Sequence, residues 1–412
     1  MGRISPRFFG LGAALLAAAG ASAADWPGWR GPARDGRIAA FTAPGAWPGT
    51  LSKLWSVEVG EGHSSPVVAG GKVFVLSRQG EEERVAALSP ADGRTLWSAS
   101  YPAPYQMNPA AFSHGKGPKA TPAWADGRLF TFGISGILSA FDAEKGTLLW
   151  RKDFTGRFKT TSPLYGTATS PLVDGSRVIV WAGGHGQGAL LAFDAATGKE
   201  LWAQPVDGPG YASPVVAEMA GVRQLVTQSE GQLLGISLER GEVLWQAPFS
   251  TEYTQNSVTP LVMGDVVIVS GLDKGLAAMR IVKKGAGFAL EPVWRNEEVP
   301  LYLSSPVLAG DRVCGISHKR KGQLFCVDAK TGKTAWATTG RDGEHASILA
   351  AGDLLVVLTD GADLVVAKAS GAAYQELARY RVADSATWAH PVVDGREILV
   401  KDLKHLARWR LE

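Results

Sequence analysis

From residue 54 onward one pattern of apolar and polar positions recurs. A small hydroxyl residue, usually followed by proline, opens an apolar run, alternating strands follow across turns, and an Asp-Gly or Thr-Gly turn precedes an aliphatic-Trp pair. The repeat prolines are Pro66, Pro122, Pro171, Pro214, Pro260, Pro306 and Pro391, with Ile348 in the seventh place, at spacings of 42 to 56 residues. That is blade spacing for a β-propeller. Trp97, Trp150, Trp202, Trp245, Trp294 and Trp336 close six units, while the seventh has no Trp where one is expected. After residue 24 no stretch of 12 residues carries an apolar face of helical period, so little helix is expected. The pattern predicts an all-β, eight-bladed β-propeller of four-stranded antiparallel blades over residues 54–412, read as one domain. The last unit has no room for a fourth strand after Trp409, so Leu54–Val57, which has the closing-strand pattern, is expected to complete it and hide both edges.

The segments before the repeat read differently. Arg3 and Arg7 precede an apolar run from Phe8 to Ala19, and Ala21-Ser22-Ala23 offers small side chains for cleavage, which predicts a secretory signal over residues 1–23. The run is too short to span a bilayer. Residues 24–53 are rich in Trp, Pro and Gly without strand alternation, and are expected to form an ordered N-terminal arm across the propeller. Trp26, Trp29 and Trp47 there need apolar contacts. The expected mature protein is monomeric, periplasmic or secreted, with no integral membrane span.

Charge and cysteine content narrow the chemistry. Loss of Arg3 and Arg7 lowers the formal charge from +3 to +1, and no basic block remains to favour nucleic acid. Cys314 and Cys326 lie symmetrically about Arg320, opposite each other on adjacent strands of one hairpin. Two readings stand for them: a structural disulfide, or two buried thiols.

The units end as Ala140-Phe141-Asp142 with Gly146 and Trp150, Ala192-Phe193-Asp194 with Gly198 and Trp202, and Cys326-Val327-Asp328 with Gly332 and Trp336; Ala87-Leu88-Ser89 with Gly93 and Trp97 is similar. With the small-residue-Pro-Val-Val openings, they resemble the pyrroloquinoline-quinone-like repeat family. The resemblance spans roughly residues 54–412 and implies the propeller fold. It also implies either of two activities, because the family holds quinoprotein dehydrogenases and a non-enzymatic scaffold for outer-membrane protein assembly. The dehydrogenases carry adjacent cysteines below the quinone, which this chain lacks, and there is no Cys-x-x-Cys-His for covalent haem.

Candidate chemistry concentrates where the first strand of each blade meets the axis. Counting three positions before each repeat proline or its substitute gives His63, Lys119, Ala168, Tyr211, Ser257, Leu303, His345 and Trp388. The position just before it is Ser65, Thr121, Ser170, Ser213, Thr259, Ser305 and Ser347, broken only by His390; those hydroxyls are expected to satisfy backbone groups. His63, Lys119, Arg157, Tyr211, His345, Trp388 and His390 form the expected ligand-binding set. His63, His345 and His390, on neighbouring blades once the ring closes, are also read as a potential transition-metal trio. Two long interblade stretches, Tyr101–Lys119 and Arg151–Thr169, are expected to wall the same face beside blades two and three. The leading reading is an exported non-enzymatic scaffold or ligand-binding protein without a cofactor. Its partner is an envelope protein, a peptide or a small polar ligand. The alternative is a calcium- and pyrroloquinoline-quinone-dependent dehydrogenase oxidising an alcohol or sugar. There Trp388 stacks on the quinone, Lys119 and Arg157 face its acidic groups, and His63 or His345 acts as base.

Overall fold

The computed structural model describes residues 25–39 and 41–412. The signal segment expected over residues 1–23 lies outside the described residues. Eight four-stranded antiparallel sheets form a closed ring. Blade one comprises Val67–Ala69, Lys72–Gln79, Glu82–Leu88 and Thr95–Pro102 from axis to rim, and the later blades repeat this order. Helical structure among the described residues is limited to short 3-10 turns, such as Pro109–His114.

Closure follows the sequence pattern. Ser52–Glu58 is the outermost strand of blade eight and pairs antiparallel with His405–Arg410, setting Val57 against Leu406 and Glu58 against His405. The ring therefore closes by hydrogen bonds between strands from opposite ends of the described chain, giving blade eight the same four strands as the others. Hydrophobic cores lie between blades, not within one. Val67, Phe74 and Val85 of blade one pack with Leu129 and Phe141 of blade two, and Phe130 and Phe132 of blade two pack with Val178 and Leu191 of blade three. Burying each such side chain is worth roughly 1.5–3 kcal/mol relative to exposure.

The spacing of Gly and Trp has a geometric cause. Trp97 of blade one donates its indole N–H to the Ala143 carbonyl of blade two at 3.0 Å. Trp150 does the same to Ala195 at 3.1 Å, Trp294 to Ala329 at 3.0 Å and Trp336 to Ala369 at 3.0 Å. At most of these contacts the turn glycine beyond the carbonyl lies flat on the indole: a Cβ on Gly198 would come within 2.7 Å of Trp150, and one on Gly93 within 2.8 Å of Trp55, whereas Tyr374 packs on Trp336. Blade four departs from the scheme, because blade five continues through the long hairpin Leu276–Lys284 and Gly287–Asn296 and has no Gly turn of this type. Trp245 turns inward and donates to Gln224 Oε1 within its own blade at 2.5 Å. Blade eight takes its outer strand from residues 52–58 and so has no turn between its third and fourth strands. In blade seven Ala378 occupies the Trp position, opposite Val366.

Nearer the axis the repeated hydroxyls form a belt. The backbone N–H of Ser65 donates to Thr121 Oγ1 at 3.2 Å, Thr121 to Ser170 Oγ at 2.9 Å, Ser170 to Ser213 Oγ at 2.9 Å, Ser213 to Thr259 Oγ1 at 3.1 Å and Thr259 to Ser305 Oγ at 3.0 Å. His390 N–H returns to Ser65 Oγ at 2.8 Å. Every link crosses from one blade to the next, which is the backbone-satisfying role the Ser and Thr series predicts.

The N-terminal arm crosses one end of the axial channel. Trp26 forms a bridge with Val68 of blade one, and Arg37 with Ala350 of blade seven. Arg34 reaches across the channel and donates to the carbonyls of Pro214, Pro171 and Ser170 at 2.9, 2.8 and 3.1 Å, while Arg30 donates to Pro306 at 2.5 Å. Both guanidinium groups lie against Trp29, 5.4 and 5.7 Å from its ring centroid. The arm is consequently a plug, tied to blades on several sides of the axis.

Cys314 and Cys326 face each other in register on adjacent strands and form a disulfide. It lies in the interblade core shared by blades six and seven, away from the axis.

Candidate functional site

Above the plug lies an axial cavity of about 400 Å³. Seven of the eight ring residues line it: His63, Lys119, Ala168, Tyr211, Ser257, Leu303 and Trp388. Belt residues Ser65, Thr121, Ser213 and Ser305 line it too, together with Trp29 and His390. The ring follows from the repeat, since equivalent positions on successive blades must approach a common axis. His345, the eighth member, is buried and lies against Trp388, with ring centroids 3.5 Å apart.

Aromatic contacts set the wall. His114 meets Trp388 edge-on at 5.1 Å, His63 approaches the same indole at 5.6 Å, and Tyr165 meets Tyr211 edge-on at 5.9 Å. Polar contacts hold these groups in place. His63 Nε2 donates to the His114 carbonyl at 2.9 Å, which fixes its tautomer. Lys119 Nζ donates to the Tyr165 carbonyl, and the Tyr165 N–H donates to Tyr211 Oη at 3.2 Å. Tyr302 Oη donates to Gln255 Oε1, and Ser257 Oγ donates to the Tyr302 carbonyl at 2.5 Å. Tyr302 and Gln255 are wall residues that the ring positions alone do not reveal. Their only sequence signal is proximity: Tyr302 precedes ring residue Leu303, and Gln255 lies two before Ser257.

Burial dominates the electrostatics. It pushes His63 down to about 3, assisted by Lys401 and Lys119 and opposed by the bond to His114. His345 falls to about 3 through burial and then the His63 and His114 rings. His390 falls to about 3 through burial and then Arg30. Lys119 is lowered to about 8 by burial, and Tyr211 is raised, again chiefly by burial. Near pH 7 the cavity therefore presents neutral imidazoles, a neutral phenol and one ammonium group.

The structure brings most of the expected ligand-binding set to the cavity and places two parts of it differently. Arg157 stands apart from the cavity, paired with Glu200 at 2.5 Å and stacked on Phe158 at 5.6 Å. The metal trio of His63, His345 and His390 is also replaced by a different arrangement. His63 and His345 pack on Trp388, His390 meets Trp29 edge-on at 5.5 Å, and no group of three His, Cys, Asp or Glu among the described residues is placed to hold a metal. His185 and His318, on the same loop-rich face, pair with Glu230 at 2.9 Å and Asp273 at 3.0 Å.

The two long loops rise together as expected. A groove of about 500 Å³ runs between them, lined by Tyr105, Gln106 and Asn108 of the first and by Phe158, Lys159 and Leu164 of the second.

The calcium-quinone pair is poorly matched to these residues. Calcium takes six to eight oxygen ligands, typically including carboxylates, and among the described residues no Asp or Glu lines the cavity. Trp388, the expected stacking platform, is already covered by His345. With Arg157 outside, Lys119 is the only cationic side chain on the lining among the described residues.

Comparison with known proteins agrees with this geometry. The outer membrane protein assembly factor BamB of Burkholderia pseudomallei is 25% identical over 357 residues, covering 76% of this chain and 86% of that protein. The quinohemoprotein alcohol dehydrogenase ADH-IIG of Pseudomonas putida is 28% identical over 167 residues, which is 37% of this chain and 21% of the dehydrogenase. The crystal structure of BamB from Moraxella catarrhalis superposes with a TM-score of 0.63 at 15% identity, over 88% of this chain and 98% of that one, and shows the same fold. Residues 81–338 match the family described as outer membrane protein assembly factor BamB, and with its eight quinoprotein-like blades the chain belongs to that family.

Proposed function

We propose that the protein is a non-enzymatic scaffold of the bacterial cell envelope that serves outer-membrane protein assembly, binding a protein partner through its loop-rich face. The observation that carries this reading is the family match over residues 81–338 on a ring of eight four-stranded blades. Side chains on the same face are set for a partner: Phe112 is 62% exposed, Tyr253 63% and Leu164 41%. Apolar side chains so placed suit a protein contact. No helix among the described residues is long and apolar enough to cross a membrane. The secretory signal expected over residues 1–23 is consistent with export to the periplasm, where such a partner is reached. Affinity purification of the full-length protein from envelope extract tests the reading. A reproducible outer-membrane assembly protein in the eluate supports it; dye-linked alcohol oxidation after addition of quinone and calcium, without such a partner, contradicts it.

A further inference from the structure

We propose that the axial cavity binds a small aromatic monocarboxylate, with its carboxylate on Lys119 and Tyr211 and its ring against the aromatic wall. The argument begins with charge. Arg30, Arg34, Lys119 and Lys401 are all sunk around the axis, and their hydrogen bonds end on carbonyl oxygens instead of carboxylates. Asp35, which acts electrostatically on Arg30, is itself paired with Arg37, and Asp402 acts on Lys401, whereas burial alone acts on Lys119. Buried cations are ordinarily neutralised by a paired anion. Here their field is focused into a concave site with low-dielectric walls, which favours an anionic guest.

The guest's charge and shape follow from the lining. Among the described residues, Lys119 is the only one of these four cations that lines the cavity and no carboxylate lines it; Glu230, which acts on Tyr211 from outside the lining, is held by His185 and the Gly186 N–H. One Lys119 N–H is used by the Tyr165 carbonyl, which leaves two free. Tyr211 Oη accepts from the Tyr165 N–H at 3.2 Å, so its own proton remains to donate. Both donors are thereby anchored on the backbone of one residue, Tyr165, and a carboxylate has two oxygens to meet them. A single lining cation matches a single negative charge. Beside these donors, Tyr165 and Tyr211, which meet edge-on, present ring edges and faces to a planar body, and a volume of about 400 Å³ suits a small molecule. Partner docking on the outer loops does not require this cavity to be filled, so the inference stands apart from the scaffold reading.

Titration of the full-length protein with 2-naphthoate at pH 7, followed by calorimetry, tests the assignment, with 2-naphthamide as the neutral isostere. The expected result is saturable one-to-one binding of the acid, at least about tenfold tighter than the amide. Lys119→Met should weaken the acid by about tenfold or more while leaving the amide unchanged, and Tyr211→Phe should weaken the acid by about threefold or more. Thermal melts establish that each variant is folded, and the Tyr211 variant carries the test if the Lys119 variant is not. No saturation of the wild-type protein up to about 10 mM acid, equal affinity for acid and amide, or acid binding unchanged in a folded variant would overturn the proposal.

Discussion

Gly146 and Trp97 hold adjacent blades together by shape. Gly146 has φ of +74° and lies on the Trp97 indole, so a side chain there meets both a disfavoured backbone conformation and a collision. Gly146→Val should cost about 2–4 kcal/mol, read as a lowered urea midpoint. The three buried imidazoles make a separate prediction. Their folded values of about 3 lie below the ordinary 6.5, so the unfolded chain binds more protons between those limits. Their contribution to stability is complete above about pH 6.5 and is lost as pH falls toward 3. Thermal melts should therefore show the midpoint falling through that window, and His345→Gln should flatten the fall. The sequence made these residues legible because each occupies a fixed offset from a repeat proline. It could not place Arg157, whose long side chain found Glu200 instead of the axis, nor show that His345 would spend its face on Trp388.

At the scale of elements, the plug and the closing strand carry the ring's integrity. Arg34 serves three carbonyls on blades three and four, and Arg34→Met would leave them buried without donors. A loss of about 2–4 kcal/mol is expected by chemical denaturation, larger than for an exposed arginine such as Arg240. In the closing strand, Val57→Pro removes a donor from the pairing with Leu406; hydrogen exchange should then accelerate selectively in His405–Arg410. The closing strand was readable because it repeats the outer-strand pattern of every other blade. The plug was not, because its irregular backbone has no period and its contacts reach carbonyls more than 130 residues away. Composition signalled an ordered arm across the propeller whose Trp residues needed partners, but not that it would plug the channel. The missing Trp of blade seven became intelligible from topology: the next blade has no turn on which an indole could dock.

At the scale of the whole molecule, a ring closed by strand pairing and plugged at one end leaves the loop-rich face as its distinctive surface. The long loops beside blades two and three stand there with the mouth of the cavity, whereas the opposite face is built from short turns and the arm. Site-specific photo-crosslinking in intact envelopes tests the central claim most directly, with the crosslinker placed at Phe112, Leu164 or Tyr253 on the loop-rich face and at Lys145 or Lys330 on the opposite turns. The account predicts a discrete adduct with an outer-membrane assembly protein from the first three positions and none from the last two. Adducts confined to Lys145 and Lys330, or no adduct from any loop-rich position in folded protein, would contradict it.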